Sequence, residues 1–246
     1  MDVHARLRRA REKHQLLRIE RVIPRADPVE GYVLDVGTEW VLLATLDPAL
    51  VLDGFTAVRI ADISVAGKQT ARAFIRRALE LHGEWPPSSP AGEIPLDHPG
   101  ELLAALGAGR PLVTIHVERD VPDVCYIGSP GKVGRRKLHL REVSYRAKWD
   151  EETSKWSLAD LTRIEFGRRY EQALFDIAGD GLTAVTLEQF PGGTGLSRGA
   201  PVDSRRRHRR FHQPVQDDDT PARRARRSLR RPERRVQGVR ARLGRL

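Results

Sequence analysis

The chain is poor in cysteine, methionine and aromatic side chains, with one Cys, one Met and 6% Phe, Trp and Tyr in 246 residues. A single thiol, Cys125, excludes an internal disulfide framework and leaves no thiol pair for a metal. There is no apolar run long enough to span a bilayer. The opening, Met1 to Lys13, is charged where a signal peptide would have an apolar centre. These absences predict a cytoplasmic protein with no membrane contact. Lysine is missing where charge is densest: residues 198–246 hold 17 arginines, no lysine and five acids, a net of +12 against +10 for the whole chain. Residues 1–197 therefore stand at −2, with no overall attraction for polyanions.

What the first 180 residues do contain is a pattern that returns. Val58-Arg59-Ile60-Ala61-Asp62-Ile63 is answered by Trp156-Ser157-Leu158-Ala159-Asp160-Leu161, and Glu20-Arg21-Val22-Ile23-Pro24 by Glu118-Arg119-Asp120-Val121-Pro122, both 98 positions later. Gly31-Tyr32-Val33 faces Cys125-Tyr126-Ile127 between those anchors. Matches in one order predict an internal duplication.

Periodicity fills in the elements. Val3, Leu7, Ala10, His14 and Leu17 form one stripe and predict a helix over 3–17. Short strands are predicted at 18–23, 31–36, 39–46, 50–52 and 57–65, the last broken near Asp62, with Asp53-Gly54 as a hairpin signal. A helix over 70–82 ends at Gly83. The Pro-rich stretch 84–98 reads as a linker. The second part repeats the plan: a helix over 99–106, strands at 112–118, 123–127, 136–143, 145–149 and 156–164, and a closing helix from Phe166 to Ile177. The expected fold is thus α+β, two duplicated small β-barrel halves over 1–83 and 99–180. Few short strands can remove their edges by closing on themselves.

That order, a leading helix and five bent strands, resembles the Sm-like fold over residues 3–65 and 100–164. Arg59-Ile60-Ala61-Asp62-Ile63 is similar to the family's second signature, with Ala61 in place of its glycine. Asp35-Val36-Gly37-Thr38-Glu39-Trp40 lacks the asparagine with which Sm-like proteins hold a base, so their RNA site does not carry over. The chain also resembles proteins of high-GC bacteria, a likeness that implies no activity.

Enzyme chemistry finds little support. Cys125 with His116 or His139 is the one nucleophile-and-base pairing available, but a lone cysteine between Val124 and Tyr126 in a strand reads as a small buried residue. Glu118, Asp120 and Asp123 could gather round a divalent cation, yet around Pro122 they also make an ordinary polar loop. Gly131–Gly134 is too short for a nucleotide loop, and Gly192-Gly193-Thr194-Gly195 precedes no convincing helix. The reading assigns no catalytic residue, no metal and no cofactor.

Positive charge beside aromatics is the stronger signal. Between Gly131 and Trp149 stand Lys132, Arg135, Arg136, Lys137, Arg141, Arg146 and Lys148 against one acid, Glu142, with Tyr145 and Trp149 in the same stretch. Cations neutralise phosphates and an aromatic face stacks an unpaired base, which together hold a single strand with little sequence preference. The competing reading is a solvated hairpin with Tyr145 and Trp149 in the core. Residues 181–246 are predicted to be disordered. From residue 198 the Arg-rich stretch is either a natural basic tail or an off-frame reading of GC-rich DNA. The expected function is non-catalytic binding of single-stranded nucleic acid, RNA first. The alternative is a protein-interaction module whose strand edges pair with a partner or with a second copy.

Overall fold

A computed structural model describes residues 2–180. The first helix, α1 (Val3–Glu12), starts where the Asp2 carboxylate accepts the Ala5 N–H, and it buries Leu7 and Ala10. It stops short of the predicted Leu17 because His14 turns to a φ of 44°. Four strands follow: β1 (Leu16–Arg21), β2 (Val29–Val36), β3 (Trp40–Leu46) and β4 (Leu52–Arg59). A 3-10 turn, Ile60–Asp62, makes the predicted break and leads into β5 (Ile63–Lys68). Two helices come next, α2 (Arg72–His82), ended by Gly83 at a φ of 72°, and α3 (Pro99–Gly109). The rest is β6 (Val113–His116), β7 (Cys125–Val133), β8 (Lys137–Glu142), β9 (Ser154–Ser157), β10 (Arg163–Phe166) and α4 (Arg169–Ala178).

The expectation of two duplicated Sm-like small barrels is overturned. Among the described residues the ten strands make one antiparallel sheet in the order β5-β1-β2-β3-β4-β10-β6-β7-β8-β9. The reason lies in where the edges go. β4 does not close back onto β5; it pairs with β10, Phe55 opposite Phe166 and Val58 opposite Arg163. The other edge of β10 takes β6, Ile164 opposite Ile115. Pairing across the two parts of the chain removes the edges that barrel closure was expected to remove. Among the described residues only β5 and β9 are left with a single strand neighbour.

Packing agrees with one sheet. A single core runs along one face, from Leu16, Tyr32 and Trp40 through Ala57, Ile164 and Ile115 to Leu138 and Leu140. Ile75 and Leu79 of α2, Leu96, and Leu102, Leu103 and Leu106 of α3 cover it. Each fully buried side chain of this size contributes roughly 1.5–3 kcal/mol. On the opposite face α1 covers one end with Leu7 and Ala10 on Leu17, Val33 and Leu43, and α4 covers the other through Leu174 on Leu112, Ile127 and Val143.

Two local expectations also fail. Asp53-Gly54 lies inside β4, not in a hairpin; the turn before it runs from Asp47 to Val51, with Leu50 at a φ of 61°. Gly54, at a φ of 66°, passes so close to Phe166 and Gly167 that a side chain there would meet their backbone at 2.7–2.8 Å. Residues 145–149 form a turn bridged by Val143 and Trp149 instead of a strand.

Candidate nucleic-acid interface

Strands β7 and β8 form the hairpin that carries the predicted basic residues. Their register, Gly128 opposite Glu142 and Pro130 opposite Leu140, slips by one residue before Val133 meets Leu138. A bulge of this kind bends and twists the strand locally. At the tip the Gly134 N–H donates to the Lys137 carbonyl at 2.8 Å, so Arg135 and Arg136 are the two turn residues. The Arg136 carbonyl accepts the Leu158 N–H at 3.0 Å, which ties the tip to the end of β9. Alternation along β8 sends Leu138 and Leu140 into the main core and Lys137, His139 and Arg141 to the other face. There Lys155 of β9, register partner of His139, extends the basic row.

The predicted residues share one hairpin but not one cluster. Lys132, Arg135, Arg136 and Lys137 are exposed at the tip. Tyr145, Arg146 and Lys148 lie in the turn beyond the other end of β8, roughly 20 Å away at the rise of an extended strand. Arg141 stands between them with its guanidinium 5.1 Å from the Trp149 ring centre. Trp149 is half-buried against the α4 cluster and donates its indole N–H to the Gly179 carbonyl at 3.2 Å. Tyr145 is 59% exposed, and Arg146 lies 5.4 Å from its ring centre and 3.0 Å from its hydroxyl. The solvated-hairpin reading thus fits Trp149 and not Tyr145.

Charge compensation separates the two ends. The far turn runs into Asp150, Glu151 and Glu152, whereas the sequence has no acid between Asp123 and Glu142. Among the described residues Lys132, Arg135, Arg136 and Lys137 make no ion pair.

The tip also faces something the sequence reading missed. Arg135, Arg136 and His98 line an open hollow of about 630 Å³. His98 caps α3: its Nδ1 accepts the Gly100 N–H at 3.0 Å, with Pro99 at the first helical position. Asp97, one residue earlier, accepts the Thr38 N–H and hydroxyl at 2.7 and 3.0 Å. Those bonds hold its carboxyl below the usual range. A residue just before a helix-starting proline was the available signal; nothing in the sequence brings His98 to a hairpin 37 positions away.

The other chemical candidates lie in a polar strip on the face shared by α1 and α4, over β4, β10 and β6. Glu118 is buried and pairs with Arg21 and, at 3.2 Å, with Arg163, while the Thr162 hydroxyl donates to it at 2.7 Å. Burial opposes its charge, but the two arginines outweigh burial and hold its carboxyl below the usual range. Glu165 behaves alike beside Arg163, His116 and Arg168, which outweigh its burial. His116 is pushed down by burial and by Arg163, and so is held neutral. Cys125 is its register partner across β6 and β7, and burial pushes that thiol up to about 11. A thiol so held is a poor nucleophile at neutral pH. Glu118 is therefore a structural ion-pair partner, and no group of His, Cys, Asp or Glu among the described residues is placed to hold a metal.

No family model, no curated protein and no solved structure matches this chain. The Gly192–Gly195 segment and the arginines from 198 onward lie outside the described residues.

Proposed function

We propose that this chain is a non-catalytic binding protein that holds single-stranded nucleic acid, RNA in particular, on the β7–β8 hairpin. The observation that carries the reading is the tip, where Lys132, Arg135, Arg136 and Lys137 are exposed and without ion pairs among the described residues. Backbone bonds fix the path of the turn that displays them. Cations left uncompensated on a fixed turn are the groups that displace counterions from a phosphate chain. Exposed Tyr145 adds a stacking face, and Lys137, Arg141 and Lys155 connect the two ends along one face. Cytoplasmic placement belongs to the same reading; among the described residues no helix is long and apolar enough to cross a membrane.

Fluorescence anisotropy of a labelled single-stranded RNA tests this, comparing the full chain with Arg135, Arg136 and Lys137 all changed to Gln. Loss of three phosphate contacts makes the salt dependence shallower by about two in log–log slope and weakens binding on the order of tenfold or more. An unchanged slope removes the hairpin from the interface.

A second reading rests on the sheet edges. β5 and β9 each have one strand neighbour, which supports a partner protein, or a second copy, adding a strand there. Light scattering across a concentration series separates self-association from the nucleic-acid reading.

A further inference from the structure

The hollow between the hairpin tip and the start of α3 has a chemistry more specific than a basic surface. Two guanidinium groups and one imidazole line it. The imidazole is oriented: because His98 Nδ1 accepts the Gly100 N–H, the proton of the neutral ring stands on Nε2, leaving that N–H as its outward donor. The ring lies against Gly100, where any side chain would come within 3.0 Å of it. Leu158, which lies against Gly100, also donates its N–H to the Arg136 carbonyl, so the backbone of the tip and the start of α3 meet at one residue.

We infer that this hollow is a binding site for a phosphate monoester, the phosphorylated end of a nucleic-acid strand or a free mononucleotide. This rests on the reading of the hairpin tip as a phosphate-contacting surface, and narrows it to an end group. Charge and space both favour such a group. Arg135 and Arg136 supply two positive charges with no ion pair among the described residues. A phosphate monoester carries about −1.5 to −2 at neutral pH, whereas an internal diester carries a single charge. Guanidinium forks match the oxygens of such a group in pairs. The open hollow, about 630 Å³, leaves room for a phosphate group.

The test uses the full chain and three labelled single-stranded RNAs of one sequence, with a 5′-phosphate, a 3′-phosphate or hydroxyls at both ends. Adenosine 5′-monophosphate and adenosine serve as probes without a strand, followed by calorimetry. The variants are Arg135→Gln with Arg136→Gln, and His98→Asn, which removes the imidazole donor but keeps a good helix cap. The expected result is binding roughly tenfold tighter for a phosphorylated end than for hydroxyl ends. That preference disappears in both variants, while circular dichroism shows their fold intact. The Arg-rich stretch from residue 198 is common to every arm, so loss of the preference in the variants assigns it to the hollow. Equal affinity for all three RNAs overturns the end-group site and leaves RNA binding standing. If no RNA binds but the monophosphate binds and adenosine does not, with both variants defective, the site stands as a mononucleotide site and the RNA reading fails. If neither RNA nor monophosphate binds, both fail.

Discussion

Arginine does opposite work in two regions of this protein. In the polar strip over β4, β10 and β6, Arg21 is wholly buried against Glu118, and Arg163 closes on the same carboxylate. At the β7–β8 tip, Arg135 and Arg136 stand in solvent with no acid within reach along the sequence. A buried cation survives only if paired and hydrogen-bonded, and once paired it has nothing left to offer a ligand. An exposed one costs the fold little and keeps its charge available. The buried set joins β1, β6 and β10, strands from both parts of the chain, and so belongs to the account of stability. The exposed set belongs to the account of binding.

Breaking the buried set has the largest expected effect. Glu118→Ala leaves Arg21 buried without a carboxylate, while Arg163 keeps Glu165, and costs about 3–5 kcal/mol. Urea denaturation measures this, and a loss below about 1 kcal/mol would mean that the strip does not hold the two parts together. A smaller effect sharpens the same point through pH. Glu171 of α4 accepts the Thr114 hydroxyl at 2.7 Å and the Arg168 N–H at 3.1 Å, but burial outweighs both and raises its carboxyl from 4.5 to about 7. The folded state therefore retains a proton that the unfolded chain releases. The stability this confers is complete below about pH 4.5 and is lost as pH rises through 7. Glu171→Gln removes the titration, so the stability of wild type relative to the variant falls by roughly 2–3 kcal/mol between pH 4.5 and 7.5. His116 titrates with the opposite sign in both proteins, which is why the difference is the quantity to follow. The smallest effect is at the far end of the hairpin. Tyr145→Ala leaves stability within about 0.5 kcal/mol, because the ring is exposed. It lowers RNA affinity roughly fivefold, the loss of one stacking contact. Unchanged affinity confines the interface to the tip.

The difference between the two regions also explains what the sequence could reveal. The hairpin was legible because its signals are local: Leu138 and Leu140 alternate with charge, and Lys132 to Arg141 contain no acid. Glu118 was not, because a carboxylate before Pro122 looks the same whether it ends in a loop or in a buried pair with a residue 97 positions away. The same holds for β10. Arg163 to Phe166 alternate as any short strand does, and nothing local says that one edge meets β4 and the other β6. Barrel closure was inferred from the need to remove edges, a sound premise with two solutions, and pairing across the chain is the one adopted. Asp53-Gly54 misled for a related reason: its glycine serves a close approach to Phe166, not a turn. His98 was hidden because a helix cap and a hairpin tip meet only in three dimensions.

The most direct test of the account takes a chain ending at residue 190, which keeps every described core residue and omits the Arg-rich stretch from 198. A labelled single-stranded RNA is titrated with it at low and moderate salt, following anisotropy. The account predicts binding that weakens steeply with salt and is lost when Arg135, Arg136 and Lys137 become Gln, with the unfolding transition unmoved. No binding at low salt, or binding indifferent to those three changes, would contradict it.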